Sequence, residues 1–181
     1  MTFYKETVLR NGVTITIRNG EKEDAEEVLQ SFIEARKETE YLAQYPEECC
    51  FTPEGEGNFL SSMKKDERSV ELLAVLDGRV VGTAGLSPVG NGIKVRHRSE
   101  FGVSILKSHW GMGIGKALTL SAEECARKAG YSQIELQVVE ENKRAVSLYS
   151  ALGFRKYGMI PRGLITKDGK DHNLVIMAKL L

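Results

Sequence analysis

The sequence predicts an α+β protein built on a mixed β-sheet. Short runs in which apolar and polar residues alternate recur along the chain, which is typical of half-buried strands. Between them lie stretches with apolar residues at three- and four-residue spacings, which indicate helices. The predicted order is βαα, then a β-meander, then βαβαββ, and this order is typical of a mixed sheet with helices packed against it.

The elements of the first half are predicted from periodicity and turn residues. In order, we expect a strand over 13–18, a helix from about residue 21 to about 35, an irregular segment over 41–56, a helix from 52 through 63, and strands over 70–76 and 79–86. Thr52 and Pro53 are typical of a helix N-cap and first turn. Asp77-Gly78 between the last two strands is a strong hairpin signal.

The second half follows by the same reasoning. We expect one long strand over 93–106, a glycine-rich turn, a helix ending at Gly130, a strand over 134–138, a helix over 142–152, and two strands over 154–160 and 173–178. The long strand is expected to bend near Gly102. No repeat or linker interrupts this order, so we predict one domain over 1–181 with its core over about 13–180.

Composition argues against several functional classes. Lys and Arg number 25 and so do Asp and Glu, which leaves no basic surplus for nucleic acid or an anionic membrane. The apolar runs are too short to span a bilayer, and the N-terminal residues lack the apolar region of a secretory signal. Cys49, Cys50 and Cys125 show no metal-ligand spacing, so we expect free thiols, no metal site and a cytoplasmic protein.

Three alternating glycines stand between a predicted strand and a predicted helix. The segment reads Gly111-Met112-Gly113-Ile114-Gly115-Lys116. Glycine lets the backbone approach a ligand with its N–H groups outward, and the helix dipole adds positive charge, so the segment predicts an anion site. The Rossmann motif requires glycine where Lys116 stands, and the Walker A motif requires Ser or Thr where Ala117 stands. These departures disfavour a nucleotide-binding module. A turn that only allows strand and helix to pack closely is the alternative.

A second motif lies about thirty residues further along. Residues 142–154 read NKRAVSLYSALGF and resemble the NxxAxxLYxxxGF segment of the GNAT acetyltransferase superfamily, while residues 103–117 resemble its [R/Q]xxGxG acetyl-CoA motif. The resemblance implies a GNAT-like mixed, mostly antiparallel sheet flanked by helices, with splayed central strands holding the cofactor. It also implies direct acetyl transfer from acetyl-CoA, without a metal, to an amine of a small molecule or a protein N-terminus. Trp110 departs from the motif, where Arg or Gln is usual.

The resemblance further implies a role for individual residues. Backbone groups expected to bind the acetyl carbonyl and the pantetheine arm are those of Ser104, Ile105 and Leu106. The residues expected to bind the pyrophosphate are Gly111, Met112, Gly113, Ile114, Gly115 and Lys116. Asn142 would hydrogen-bond the pantetheine region, and Tyr149 would protonate the leaving thiolate. Judged by helix periodicity alone, Tyr149 is a core residue, and Asn142 is equally suited to cap its helix.

The general base is left open by the sequence. An amine with a pKa near 10 must lose a proton before it attacks. Some relatives carry a glutamate where this chain has Gln137, which cannot accept that proton. Glu100 is the leading candidate for the base, with His97 and Glu135 behind it and a water chain as the alternative.

Two alternatives to this function remain. A non-catalytic acyl-CoA-binding sensor or interaction module of the same fold would need the glycine-rich turn but not Tyr149. A nucleotide-binding module is a weaker second alternative. The amine-bearing acceptor is open among a protein N-terminus, a polyamine, an amino acid and an antibiotic amine, and its pocket is expected in 41–56 and the last hairpin. A homodimer is compatible with the sequence.

Overall fold

Eight strands form one sheet in the computed structural model, which describes residues 1–181. The strands are β1 (Tyr4–Val8), β2 (Thr14–Asn19), β3 (Val70–Leu76), β4 (Arg79–Pro88), β5 (Arg98–Ile105), β6 (Gln133–Val139), β7 (Arg155–Ile165) and β8 (Asp171–Leu180). Their order across the sheet is β1-β2-β3-β4-β5-β6-β8-β7. Every neighbouring pair is antiparallel except β5 and β6, which are parallel. The mixed, mostly antiparallel sheet is confirmed.

Helices cover both faces of this sheet. They are α1 (Ala25–Glu38), α2 (Pro53–Lys65), α3 (Ile114–Lys128) and α4 (Lys143–Ala151). On the α1–α2 face, Val28 and Leu60 form a small buried cluster with Leu73 and Val80 of the sheet. On the α3–α4 face, the apolar sides of α3 and α4 belong to the main core. None of these helices has the length and apolar character needed to span a membrane.

Local sequence signals explain where several elements begin and end. The Thr52 hydroxyl accepts the backbone N–H of Gly55 at 3.1 Å, so the predicted N-cap of α2 is confirmed; such caps contribute about 1 kcal/mol. Gly130 follows α3 with a φ of +77°, a left-handed conformation that glycine adopts without strain. Asp77-Gly78 forms the predicted hairpin turn between β3 and β4.

Four strands differ from the prediction. β1 was not expected, because its short, mostly exposed run gives little apolar periodicity; it is held by antiparallel pairing with β2. The strand expected over 93–106 begins only at Arg98, since Ile93–Val95 forms a 3₁₀ turn. β7 and β8 are longer than predicted because their ends lie in a largely exposed hairpin that lacks an apolar pattern.

β5 and β6 separate after a short paired stretch. Their parallel pairing covers only three residue pairs, ending at Glu100 and Glu135. Beyond this point β5 stays paired with β4 as far as Ile105, and β6 stays paired with β8 as far as Val139. A gap therefore opens between two neighbouring strands, and we call it the splay. It confirms the predicted separation of the central strands.

Candidate active site

The glycine-rich turn lies at the end of β5, where α3 begins. Gly111 and Gly113 have φ angles of +84° and +99°, which side-chain-bearing residues rarely adopt. A Cβ atom on Gly111 would meet nothing within 4 Å, and one on Gly113 would meet only Leu9 at 4.0 Å. Both positions therefore require glycine for backbone conformation and leave the space above them open.

Gly115 has a different role from the other two glycines. A Cβ atom there would lie 3.1 Å from the side chains of Ile105 and Leu148. This glycine allows α3 to approach both β5 and α4 closely. The alternative that the motif only allows strand and helix to pack closely is thus correct for Gly115, whereas Gly111 and Gly113 lie at an open surface.

The backbone N–H groups of residues 111–116 are free of protein acceptors. The first hydrogen bond of α3 runs from Ala117 to the Gly113 carbonyl oxygen at 3.0 Å, and no side chain caps the helix. Six successive donors and the positive end of a 15-residue helix meet at one surface. Such an arrangement favours a bound anion, and phosphate groups fit it.

The edge of β5 that faces the splay follows from its pairing with β4. Leu106 donates its N–H to Val81 at 3.1 Å, and Arg98 accepts from Val89 at 3.2 Å. Since an antiparallel ladder alternates, even-numbered residues of β5 direct their backbone groups to β4, and odd-numbered residues direct theirs to the splay.

Two of the expected backbone donors are therefore already engaged. We expected free N–H groups at Ser104, Ile105 and Leu106, but Leu106 donates to β4 and Ser104 has the same orientation opposite Thr83. Ile105 directs its N–H to the splay, and so does Val103, which the sequence did not indicate. The alternation depends on strand pairing, so no local pattern in the sequence could have revealed it.

Trp110 ties the turn to the end of β5. Its indole N–H donates to the Ile105 carbonyl oxygen at 2.8 Å. The guanidinium carbon of Arg144, at the start of α4, lies 4.7 Å from the centre of the Trp110 side chain, a cation–π contact. The tryptophan thus holds a positive charge beside the glycine-rich turn. Arg144 was missed because 34 residues separate it from Trp110 in the sequence.

Tyr149 lies on the α3–α4 face where the splay begins. It is 6% exposed, and its ring centre is 6.3 Å from that of Phe101 and 5.7 Å from that of Phe154. Phe101 is the first residue of β5 beyond the pairing with β6. Burial raises the pKa of the Tyr149 phenol above its ordinary value. The phenol is therefore a protonated donor at neutral pH, and no protein group hydrogen-bonds to it.

Asn142 occupies the end of β6 that borders the splay. Its side-chain oxygen accepts the Ala145 N–H at 3.2 Å, so the residue caps α4. The amide nitrogen of the same side chain donates to no protein group. The capping role leaves two N–H bonds available to a ligand.

The three candidate bases differ in position and in partners. Glu135 accepts hydrogen bonds from Arg98 at 2.7 Å and from Gln133 at 2.8 Å, and the bonded guanidinium lowers its pKa. His97 is exposed and precedes the end of β5 that is remote from the splay. Glu100 is exposed, without a hydrogen-bond partner, at the last residue pair before the splay. Among these three, Glu100 alone combines a free carboxylate with a place at the splay.

A groove crosses the sheet on the α1–α2 face beside the splay. Its volume is about 330 Å³, and residues that line it include Met63, Glu71, Gly85, Ser87, Glu100 and Gly102. Glu71 is a buried residue of β3 that the sequence analysis did not select, because it stands in a strand of apolar residues. A larger hollow of about 460 Å³ lies between α1 and Pro53, lined by none of the residues that border the splay.

The irregular segment after α1 contacts the β7–β8 hairpin. The Tyr45 hydroxyl accepts the Lys167 N–H at 2.7 Å, and the Lys167 ammonium lies 4.3 Å from the centre of the Tyr45 ring. Tyr41 meets the buried His172 edge to face, with 6.4 Å between ring centres. The two regions expected to build the acceptor pocket are in contact on the α1–α2 face.

The order of the elements and the glycine-rich turn match one protein family. Residues 26–154 match the acetyltransferase (GNAT) family. The chain belongs to this family. No group of three or more His, Cys, Asp or Glu residues is placed to hold a metal ion in this GNAT family member.

Several curated proteins resemble part of this GNAT chain. It is 36% identical over 87 residues to N-acetyltransferase 8B from Homo sapiens, covering 48% of this chain and 38% of that protein. It is 35% identical over 98 residues to N-acetyltransferase 8 from Rattus norvegicus, covering 54% and 44% of the two chains. The matched region thus spans less than half the length of these relatives.

Solved structures resemble nearly the whole chain. A GNAT acetyltransferase from Streptococcus pneumoniae has a TM-score of 0.88 at 28% identity, covering 92% of this chain and 99% of that one. A ribosomal-protein-alanine N-acetyltransferase from Brucella melitensis has a TM-score of 0.80 at 25% identity, covering 91% and 99%. The structure of yncA from Salmonella typhimurium with acetyl-CoA, at 20% identity and a TM-score of 0.81, covers 92% and 94% and shares the fold.

Proposed function

We propose that this chain is an acetyl-CoA-dependent N-acetyltransferase that passes the acetyl group directly to a primary amine. The observation that carries the proposal is the row of six free backbone N–H groups over 111–116, which opens beside the splay. The family match and the N-acetyltransferase names of its relatives support it. So does the acetyl-CoA bound by yncA, a protein of the same fold.

The residues fit the donor in three places. Free N–H groups over 111–116 would hold the pyrophosphate, and Lys116 and Arg144 would add positive charge beside it. The backbone N–H groups of Val103 and Ile105 would bind the pantetheine arm and the acetyl carbonyl. They take the roles expected of Ser104 and Leu106, whose N–H groups are directed to β4. Asn142 would donate its side-chain amide to the pantetheine region.

The acceptor amine and the proton donor would lie on opposite faces of the sheet. Acetyl-CoA supplies an acetyl group bound as a thioester. The groove on the α1–α2 face would deliver the amine, while Tyr149 on the opposite face would protonate the departing thiolate. N–H groups of β5 would stabilise negative charge on the carbonyl oxygen. Holding both reactants at one gap supplies proximity and orientation.

The donor site is tested by calorimetry with acetyl-CoA. Wild-type protein should show saturable binding, and Gly113→Ala should weaken it at least tenfold because a side chain at a φ of +99° displaces the turn. Gly130→Ala is the matched control, since it imposes the same kind of strain at the far end of α3. Absence of saturable binding to the wild-type protein would contradict the proposal.

Catalysis is preferred to the non-catalytic acyl-CoA-binding alternative because of Tyr149. A sensor module has no use for a phenol whose hydroxyl no protein group engages at the splay. The two functions are separated by incubating the protein with acetyl-CoA and a panel of primary amines and measuring release of the CoA thiol. A sensor would bind acetyl-CoA without amine-dependent thiol release.

We also propose a cytoplasmic location and a homodimer. The three cysteines are free thiols, which suits a reducing compartment. β7 is an edge strand that exposes Tyr157, Met159 and Ile160 by 63%, 42% and 38%, and such an edge favours pairing with a second copy. Light scattering of the wild type and of Tyr157→Lys tests the dimer, and cell fractionation tests the location.

A further inference from the structure

Two buried carboxylates lie on the α1–α2 face without a counterion. Glu71 of β3 is 7% exposed and Glu56 of α2 is 2% exposed. The Oε1 atom of Glu56 is fully buried and has no hydrogen-bond partner. Burial of unpaired carboxylates is costly, and such groups are concentrated at functional sites, where a ligand can supply the missing charge.

The register of β3, β4 and β5 places Glu71 in one row with residues that extend to the splay. Glu71 is paired with Gly85 of β4, and Gly85 is paired with Gly102 of β5. The Glu71 Oε2 atom lies 2.8 Å from the position that a Cβ atom on Gly85 would occupy, and the space above Gly102 is open. Neighbouring strands are about 4.8 Å apart, so the side chain of Glu71 crosses roughly half of the distance to β5.

This row of residues is the floor of the groove described above. Any side chain at position 85 or 102 would separate the Glu71 carboxylate from the splay. Glu100 lines the same groove one row away, beside Ser87. The groove thus has the buried carboxylate of Glu71 at its inner end and the exposed carboxylate of Glu100 at its side. Neither Gly85 nor Gly102 places a side chain between Glu71 and the splay.

No basic group near Glu71 stabilises the ionised form of its carboxylate. Glu56 faces it from α2, and Glu100 shares its groove. Arg18 of the neighbouring strand is paired with Asp24 at 2.6 Å. Lys22, whose stem contacts Gly57, is exposed. Burial and the nearby Glu56 carboxylate raise the pKa of Glu71 to about 8, while the Thr83 hydroxyl acts in the opposite direction.

We propose that the acceptor binds as a primary ammonium ion in the groove above Glu71, and that Glu71 accepts its proton before acetyl transfer. The inference rests on the proposed function and specifies its acceptor class. A bound cation stabilises the ionised forms of Glu56, Glu71 and Glu100, whereas a bound carboxylate opposes them. The site therefore selects amines that carry no carboxylate next to the nitrogen. Free amino acids are poor acceptors for the same reason.

The proton balance of this step is complete. The ammonium group loses one proton to the Glu71 carboxylate, which releases it to solvent through the open groove. The nitrogen lone pair forms the C–N bond as the C–S bond breaks. The thiolate gains a proton from Tyr149, and the second proton that leaves the nitrogen returns Tyr149 to its phenol form, so that the products are an amide, the CoA thiol and one solvent proton.

Acceptor selectivity is tested with glycinamide and glycine, which carry a neutral amide or a carboxylate beside the amine. Since the amine of glycinamide is also less basic, kcat/KM is compared for the free-amine form of each. Wild-type kcat/KM should favour glycinamide at least tenfold. Glu71→Gln should lower kcat/KM for glycinamide about 100-fold, the usual contribution of a general base, and leave acetyl-CoA affinity within twofold. Equal rates with glycine and glycinamide would overturn the selectivity.

The pH profile separates Glu71 from Glu100. With butylamine, whose ammonium stays charged through pH 9, wild-type kcat/KM should rise to a bend near pH 8. Glu71→Gln should remove this bend, and Glu100→Gln should retain it. If Glu71→Gln keeps the wild-type rate and profile while Glu100→Gln loses both, Glu100 is the base; the inference is then wrong and the proposed function stands.

Binding without turnover gives an independent result. In the presence of CoA at pH 9, above the pKa of Glu71 and below that of butylammonium, butylammonium should raise the melting temperature of the wild-type protein, whereas butanol, its uncharged counterpart, should not. Glu71→Gln should abolish the difference. Equal shifts in wild type and variant would overturn the ammonium site even if acetyl transfer is observed. A charge-dependent shift lost in the variant would support the site even if none of these amines is acetylated.

Discussion

At the scale of single residues, Tyr149 has a packing role beside the chemical role proposed for it. Its ring is held between Phe101 and Phe154, so the side chain is ordered before any ligand binds. Its hydroxyl is bonded to no protein group, and burial keeps it protonated by raising its pKa. The ring contributes to the core and the hydroxyl is left for a reaction partner, so the two roles can be separated by removing one atom.

Tyr149→Phe should lower kcat about 100-fold and leave the acetyl-CoA affinity within twofold. Stability should change little, because phenylalanine keeps the contacts with Phe101 and Phe154. Steady-state kinetics, calorimetry and thermal unfolding measure the three quantities. An unchanged kcat would show that another group protonates the thiolate.

Glu71 lies in the proposed acceptor groove, and its ionisation should also affect the stability of the protein. Its pKa rises from an ordinary 4.5 to about 8 on folding, so the folded state binds more protons than the unfolded state between these pH values. The free energy of unfolding should therefore fall as pH increases from about 4.5 to 8, by an upper bound of about 5 kcal/mol. Denaturant titration should show this fall in the wild type and a flatter profile in Glu71→Gln. Parallel profiles would mean that Glu71 titrates normally.

At the scale of elements, α3 and α4 come together beside the glycine-rich turn. Gly115 in the first turn of α3 contacts Leu148 of α4, and Arg144 at the start of α4 lies on Trp110. α3 presents free N–H groups, and α4 presents an arginine and the amide of its Asn142 cap. The proposed donor site is therefore shared between helices from two parts of the sequence, and each is expected to bind a different part of the cofactor.

Arg144→Ala should raise the KM for acetyl-CoA about five- to tenfold, because it removes a charge-assisted contact to phosphate. With S-acetylpantetheine, a donor without the pyrophosphate, the same substitution should have little effect. Kinetics with both donors, and with Arg127→Ala as a control at the far end of α3, measure the difference. An equal loss with both donors would place Arg144 in folding rather than in phosphate binding.

At the scale of the whole molecule, the sequence predicted the sheet and the donor side better than the acceptor side. Gly111, Asn142 and Tyr149 lie in contiguous motifs whose spacing can be read directly. Val103 and Arg144 depend on strand pairing and on contacts between distant residues, so the sequence did not reveal them.

Glu71 shows the same limit most clearly. In the sequence it is one carboxylate in an apolar strand, and only the register of three strands aligns it with Gly85 and Gly102. The N-terminal strand β1 was missed for a related reason, since pairing with β2 and not its own periodicity holds it in the sheet.

The short contact between β5 and β6 also affects how the molecule holds together. Five strands lie on one side of the splay and three on the other, and the sheet joins them through three residue pairs and the Arg98–Glu135 ion pair. Few hydrogen bonds need to break for the smaller part to loosen. A molecule bound along the splay would supply hydrogen-bond partners for the backbone groups of β5 and β6 that face the gap. Acetyl-CoA should therefore slow amide hydrogen exchange in β6 and β8 more than in β3 and β4, because the bound molecule would help to hold the two parts of the sheet together.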